Sequence, residues 1–423
     1  MIRPMKHVIL GNGPAGVIAA ETLRKRSPDD EIIMIGCEDA PPYSRMAIPY
    51  LLMGNIQESG TYLRKEPGYF EKLKIQQIRG KAASLDPKAK KLTLEGDGGQ
   101  IAYDKLLIAT GSVPIRPPIP GIELPGVYPC WTLEDARSIA ELAKPGSRVL
   151  QMGAGFIGCI ILEALASRKV ELTVVEMGDR MVPRMMTSVA GGMIKQWVQE
   201  QGVQVYTDTR VEEISKSASG LTVKLSNGKT IEVDLVISAT GVKPNIEYLN
   251  SSGLAIEIGV LVNDCMQTSS SDVYAAGDVA ESIDFSTGNR IVNAIQPNAA
   301  EQARIAAINM SGGQAQSLGA LQINVLDTLG LISTSFGLWS GAKGGDYVED
   351  IDLDRYKYLR LEFLGDVLVG ATCVGGTEHI GVLRGLIQGK VALGKWKKVL
   401  LEEPTKAMEA YLDQGQAQST WMN

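Results

Sequence analysis

The sequence predicts an α/β chain of two Rossmann-like halves followed by a smaller α+β segment, and three observations carry that prediction. A glycine loop of one spacing occurs twice, as GNGPAG at residues 11–16 and GAGFIG at residues 153–158. A near copy of one strand and turn follows each loop, KLLIATG at residues 105–111 and DLVISATG at residues 234–241. From about residue 319 the chain changes character, to short alternating strands.

The elements follow in order. Residues 7–10 (HVIL) form a short apolar run before the first loop, and residues 17–23 after it have the apolar spacing of a helix. Residues 31–35 read as a second strand, with Glu38 standing 22 residues beyond Gly16. This is a dinucleotide fingerprint: glycines permit the tight turn, the close approach of a pyrophosphate and close helix packing, while the carboxylate accepts hydrogen bonds from a ribose. The helix N-terminus adds free N–H groups and a favourable dipole. The second loop repeats the grammar with a strand at 148–151, a helix at 156–166, a strand at 172–175 and Glu176 at its end. Both halves then hold a β-rich insert, residues 75–103 and 203–233, with turn signals GDGG and SNGK. The chain is internally duplicated, and two loops imply two dinucleotides. An acidic residue at 176 accepts from a free 2′-hydroxyl and repels a 2′-phosphate, so NADH is expected over NADPH. Arg180 is the nearby residue that could receive such a phosphate.

Composition narrows the class. With 44% apolar and 21% charged residues the 423-residue chain reads as a soluble protein of about three domains. No window approaches the roughly 18 uninterrupted apolar residues of a membrane helix. A net charge of −6 offers no general attraction to nucleic acid. Cys37, Cys130, Cys159, Cys265 and Cys373 are dispersed and, with only His7 and His379 to help, assemble no metal site. They read as small thiols in a reducing cytoplasm.

Residues 268–280 (TSSSDVYAAGDVA) read as a strand ending in a Gly-Asp turn, and within residues 293–307 a helix opens with Pro297 in its first position. With the two loops and two ATG turns, this conjunction resembles the two-dinucleotide flavoprotein reductases of the pyridine nucleotide-disulfide oxidoreductase superfamily over about residues 5–400. The resemblance implies a glutathione-reductase-like fold: an FAD domain at 1–115 and 245–318, an NADH domain at 116–244 and a C-terminal interface domain at 319–423. It implies FAD contacts from Gly11, Gly13, Pro14, Ala15, Gly16, Glu38, Arg45, Ala109, Thr110, Gly111, Gly277, Asp278, Gln296 and Pro297. NADH contacts would come from Gly153, Gly155, Phe156, Ile157, Gly158, Glu176 and Gly241. The helix opening at Pro297 would aim its positive end at the flavin's pyrimidine edge.

The segment PPYSRMAIPYLLMG at 41–54 should lie over the flavin. Aligned to the CGLPY pattern of coenzyme A disulfide reductases, it puts Met46 where those relatives carry a cysteine, and a thioether forms no thiolate. Cys37 falls too early to replace it. PPYSR instead resembles the thiol-less electron-transfer branch: rubredoxin, ferredoxin and oxygenase-component reductases, and the reductase portion of nitrite reductases. Many members of that branch pair a lysine with a glutamate beside the flavin, and here those positions hold Tyr50 and Ile160. Phe156 occupies the family's aromatic gate. Flavin-edge candidates are therefore Arg45, Met46, Tyr50 and Phe156, with no side chain required as acid, base or nucleophile. The resemblance implies electron exchange between NADH and an iron-sulfur or rubredoxin-like protein, or a partner subunit of a larger redox complex. A self-contained NADH oxidase or quinone reductase, and a non-catalytic NADH-sensing or scaffold subunit, stay open as alternatives.

In the last segment, residues 321–325, 333–337, 355–362 and 367–371 read as antiparallel strands, and 379–390 and 404–411 as helices. The resemblance makes this the homodimer contact. His379 reads as a structural polar residue. Lys390, Lys395, Trp396, Lys397 and Lys398 form the clearest basic cluster, either a solvated helix face or a rim that steers an acidic partner.

Overall fold

The computed structural model describes residues 3–415. Its contacts gather into two units, one formed by the chain up to Pro114 with Val242–Ala320, the other by Ile115–Gly241 with the chain from Leu321 onward.

The first unit is built on a five-stranded parallel sheet in the order Val273–Ala275, Lys105–Ile108, Lys6–Leu10, Glu31–Gly36, Ile75–Arg79. Its strands are near-continuous apolar runs because both faces are buried. Two helices, Pro14–Arg26 and Gln296–Met310, pack on each other. They approach through small side chains, Ala15, Gly16, Ala19 and Ala20 on one and Ala299, Ala303, Ala306 and Ala307 on the other, all buried. The sequence placed Pro297 first in its helix; Gln296 precedes it, and Pro297 still sits in the first turn, where its missing N–H costs nothing.

The second unit repeats that sheet, in the same order read from the opposite edge: Gln204–Tyr206, Glu171–Val175, Arg148–Met152, Leu235–Ser238, Val127–Tyr128. The two copies differ in where the fifth strand originates. It follows the other four in the first unit and precedes them in the second. The inserts are antiparallel three-stranded sheets, Ala82–Asp86 to Gln100–Ala102 and Val211–Ser217 to Thr230–Val233. Each begins later than the sequence suggested, because Ile75–Arg79 and Gln204–Tyr206 pair into the parallel sheets.

The last part of the second unit is a five-stranded antiparallel sheet in the order Ile323–Thr328, Leu331–Gly337, Val367–Val374, Lys357–Leu364, Asp346–Asp352. Helix Ile380–Gln388 packs on it with Leu383, Leu386 and Ile387 buried. One element escaped the sequence reading. Strand Asp346–Asp352 (DYVEDID) is rich in carboxylates of low strand propensity and is held at the sheet edge by pairing to Lys357–Leu364. Lys395–Glu402 is a helix, and the helix expected over 404–411 is a 3₁₀ turn at Pro404–Lys406 followed by Ala407–Ala410. Lys397 donates to Asp346 (2.7 Å) and Lys395 pairs with Asp413 (3.2 Å), so the basic cluster is partly neutralised by its own fold.

His7 is fully buried, with Nε2 2.9 Å from Asp30 Oδ2 and Nδ1 without a partner. Burial lowers its pKa from 6.5, against the pull of Asp30. The unfolded chain therefore takes up the proton first, and the pair's stabilisation is complete above the unfolded pKa and lost as pH falls below it. The urea midpoint is expected to be level above about pH 7 and to decline toward about pH 5.5. A His7→Gln variant should show a flatter profile over the same window.

Among the described residues no helix is long and apolar enough to cross a membrane, and no three His, Cys, Asp or Glu side chains are grouped to hold a metal ion.

Candidate nucleotide sites

The three glycines of each loop exist for separable reasons. In the first loop Gly11 has φ +120°, and a Cβ there would meet Ala109 O at 2.0 Å. Gly16 packs against the loop itself, since its Cβ would meet Gly11 O at 1.9 Å. Neither constraint applies to Gly13, with φ −73° and nothing within 4 Å of a built Cβ. The second loop is the same: Gly153 has φ +96°, a Cβ on Gly158 would meet Gly153 O at 2.4 Å, and Gly155 (φ −74°) has only open space. Gly13 and Gly155 serve neither backbone nor packing. The space a side chain would fill above each, at the uncapped start of a helix, fits a phosphate group.

In the first unit Glu38 is held by two donors, Tyr43 Oη at 2.6 Å and Arg45 Nη2 at 2.6 Å, and Arg45 also donates to Tyr43 Oη at 2.9 Å. Arg45 and Met46 lie in the 3₁₀ turn Arg45–Ala47, and Tyr50 in the short helix Ile48–Leu52; Met46 and Tyr50 are exposed. Ala109, Thr110 and Gly111 follow strand Lys105–Ile108, with Thr110 Oγ1 donating to Asn245 O at 3.0 Å and Gly111 at φ +65°. Gly277 lies against both helix starts, its built Cβ 3.4 Å from Ala299 and 3.5 Å from Ala15. Asp278 accepts from Ser112 Oγ at 2.7 Å; burial pushes its carboxyl up, while Ser112 and the charge of Arg45 pull it down. Gln296 and Pro297, both exposed, open their helix.

In the second unit Glu176 accepts from the backbone N–H of Ala154 inside the loop (2.7 Å) and of Gly178 (2.8 Å). Its carboxylate is thus fixed beside the glycine cradle. Arg180 is committed elsewhere: Nε donates to Met186 O at 2.9 Å, Nη1 to Asp179 Oδ1 at 2.6 Å and Nη2 to Pro183 O at 3.2 Å. The competing phosphate receptor raised by the sequence is therefore occupied by its own loop. Phe156 and Ile157 are half-buried in the first turn of helix Phe156–Ser167, and Gly241 (φ +107°) ends the second ATG turn.

Sequence reasoning missed the residues that hold these parts in place. Gln151 is buried in a strand and donates from Nε2 to Gly153 O and Gly158 O, both at 2.9 Å, strapping the second loop. Its signal was a lone amide in the apolar run RVLQM, two residues before a glycine. Gln302 accepts from Gly277 N at 2.9 Å and donates to Ser282 Oγ at 3.0 Å. Ser112 binds through a pairing to Asp278 that no local pattern announces, and Tyr43 through short-range bonds to Glu38 and Arg45.

Two Rossmann sheets, each with a helix-start phosphate cradle and a carboxylate after the second strand, define a protein of the two-dinucleotide class. Residues 5–303 match the pyridine nucleotide-disulphide oxidoreductase family, and the chain belongs to it. It is 33% identical to the NADH-dependent phenylglyoxylate dehydrogenase subunit epsilon of Aromatoleum evansii, across 95% of this chain and 96% of that protein. It is also 33% identical to an NADH oxidase of Methanocaldococcus jannaschii, across 74% of this chain and 71% of that one. A ferredoxin reductase from Rhodopseudomonas palustris superposes with a TM-score of 0.82 at 26% identity, covering 91% of this chain and 95% of that one. The chain is an NADH-dependent flavoprotein oxidoreductase that uses FAD and NAD(H).

Proposed function

We propose that this protein exchanges electrons between NAD(H) and an iron-sulfur or rubredoxin-like protein, or a partner subunit of a larger redox enzyme. FAD is assigned to the first unit and NADH to the second, and the flavin, when bound, supplies the hydride chemistry. The residues do the rest: the Gly13 and Gly155 cradles seat the pyrophosphates, Glu38 and Glu176 accept from the riboses, and Asp278 anchors the FAD chain beside Ser112.

The observation that carries this reading is the state of the five thiols. Burial pushes Cys130, Cys159 and Cys373 up to about 12. Cys37 is raised by burial and then by Glu38, and Cys265 by burial and Asp264. None is an activated thiolate near neutral pH, and Met46 supplies none over the flavin. This supports electron transfer to an outside acceptor without a sulfur relay. Relatives named as a dehydrogenase subunit and a ferredoxin reductase support a protein acceptor. The relative named an NADH oxidase favours a second reading, with oxygen as acceptor.

Stopped-flow reduction of the FAD-loaded protein by NADH, followed by mixing with ferredoxin, rubredoxin, quinone or air-saturated buffer, separates the two. Fast reoxidation by a carrier protein and slow reoxidation by oxygen is the expected result; the reverse order of rates defeats the proposal. In the same assay Glu176→Ala should lower the NADH-over-NADPH preference by about tenfold, the value of roughly one charge-assisted hydrogen bond. Unchanged discrimination would remove that residue's role.

A further inference from the structure

The two glycine loops correspond residue by residue, because the strands that flank them pair in the same register. Leu10 stands opposite Ile35, and Met152 opposite Val175. The first glycine of each loop donates to the equivalent carbonyl, Gly11 N to Ile35 O and Gly153 N to Val175 O, both at 2.8 Å. Gly36 is therefore the counterpart of Glu176, and Asn12 the counterpart of Ala154. Glu38 stands two residues beyond that point, held by Tyr43 and Arg45.

The two copies put the long side chain on opposite members of this pair. In the second unit the acid at the strand end reaches a small residue in the loop, Glu176 accepting from Ala154 N at 2.7 Å. In the first unit the strand end has no side chain and the loop has a long one. Asn12 fills the place that Gly36 leaves: a Cβ built on Gly36 would lie 2.3 Å from Asn12 Nδ2, 2.4 Å from its Cγ and 2.7 Å from its Oδ1. The Asn12 amide is half-buried and makes no hydrogen bond among the described residues. An amide withdrawn from water, seated by packing and left without a partner costs stability until something binds it.

We propose that Asn12 binds an adenosine ribose hydroxyl of the FAD through its side-chain amide, at the place that Glu176 holds in the second unit, and that Gly36 is the positioning residue that leaves the amide room. The inference rests on the assignment of FAD to the first unit. The two sites then recognise a ribose by different chemistry. A carboxylate only accepts and carries charge, whereas an amide both donates and accepts and carries none. The first site thus reads the hydroxyl with a neutral group and adds no negative charge at that position, close to the pyrophosphate cradle at Gly13.

The test is a competition on the FAD-loaded protein. It is equilibrated with equal amounts of FAD and of FAD whose adenosine lacks the 2′- or the 3′-hydroxyl, and the bound flavins are counted by mass once the free ones are removed. The native protein should favour FAD over at least one of the two analogues by about tenfold, the value of one hydrogen bond. Asn12→Ala should lose that preference, and so should Gly36→Ala, whose methyl drives the flexible end of Asn12 aside. The double variant Asn12→Ala with Gly36→Glu rebuilds the pairing of Ala154 and Glu176 and should regain part of it. A change in packing alone would weaken FAD and both analogues alike and leave the preference native. Preferences that stay native in Asn12→Ala and Gly36→Ala therefore overturn the proposal while leaving the FAD assignment standing. A native chain that takes up no FAD overturns the assignment itself.

Discussion

Gly155→Ala should weaken NADH binding by about 10- to 100-fold while the fold survives. The added methyl meets nothing of the protein within 4 Å, and the backbone there, at φ −74°, accepts any residue. The only structural cost is exchanging glycine for alanine at a helix N-cap, about 1 kcal/mol or less. The methyl does occupy the space through which a pyrophosphate reaches the free N–H groups of helix Phe156–Ser167, and holding the phosphate off those donors loses their bonds. Gly158→Ala makes the opposite case. Its methyl would stand 2.4 Å from Gly153 O and 3.2 Å from Gln151 Nε2, so the helix must back away from the loop and stability falls by about 1–3 kcal/mol. Isothermal titration with NADH and a thermal melt on both variants sort the two glycines: one loses ligand and keeps its melting temperature, the other loses both. NADH affinity unchanged in Gly155→Ala would mean that no phosphate sits in that cradle. Gly13→Ala should do to FAD retention what Gly155→Ala does to NADH, because the two loops share backbone angles and open space.

The glycine loops were legible because their constraint is local: a strand, a turn that only glycine can make, and a helix follow one another in sequence, and the pattern occurs twice. The same holds for Glu38 and Glu176, fixed by their distance from the loops. What could not be read is whatever depends on a partner far along the chain. Ser44 meets Gln296, Ser112 meets Asp278, and Gly277 meets Gln302, and in each case the residue type is ordinary until the fold supplies its partner. Strand Asp346–Asp352 was invisible for a related reason. Its carboxylates argue against a strand, and what holds it is the pairing with Lys357–Leu364, together with the ion pairs Lys397–Asp346 and Arg360–Glu349. Arg180 is the converse case: proximity to Glu176 left it open as a phosphate receptor, and its guanidinium is instead bonded to Asp179, Pro183 and Met186.

Arg360→Met should cost the second unit about 3–5 kcal/mol, the usual penalty for removing one partner of a buried ion pair. Arg360 donates from Nε to Glu362 Oε1 at 2.5 Å and from Nη1 to Glu349 Oε1 at 2.9 Å, and it lies 3.9 Å over the Tyr347 ring. Its side chain is 17% exposed and that of Glu362 is 4% exposed, so solvent screens little of this. Glu349 also accepts from Tyr358 Oη at 2.6 Å, and Tyr358 Oη accepts from Thr187, the N-cap of helix Ser188–Glu200, at 2.9 Å. Burial already raises the Glu362 carboxyl, and Arg360 is the chief force opposing it. Without the guanidinium the carboxyl rises further, and a raised carboxyl loses stability as pH climbs from the unfolded pKa through the folded one. The deficit of Arg360→Met should accordingly be larger at about pH 8 than at about pH 5.5, opposite to the slope expected from His7. Adding Glu349→Gln and Glu362→Gln should restore most of the loss, because no charge is then left without its partner. Urea melts of the native, single and triple variants at both pH values decide it. A single-variant loss under about 1 kcal/mol that is the same at both pH values would show the cluster to be solvated, since only a screened pair is worth so little.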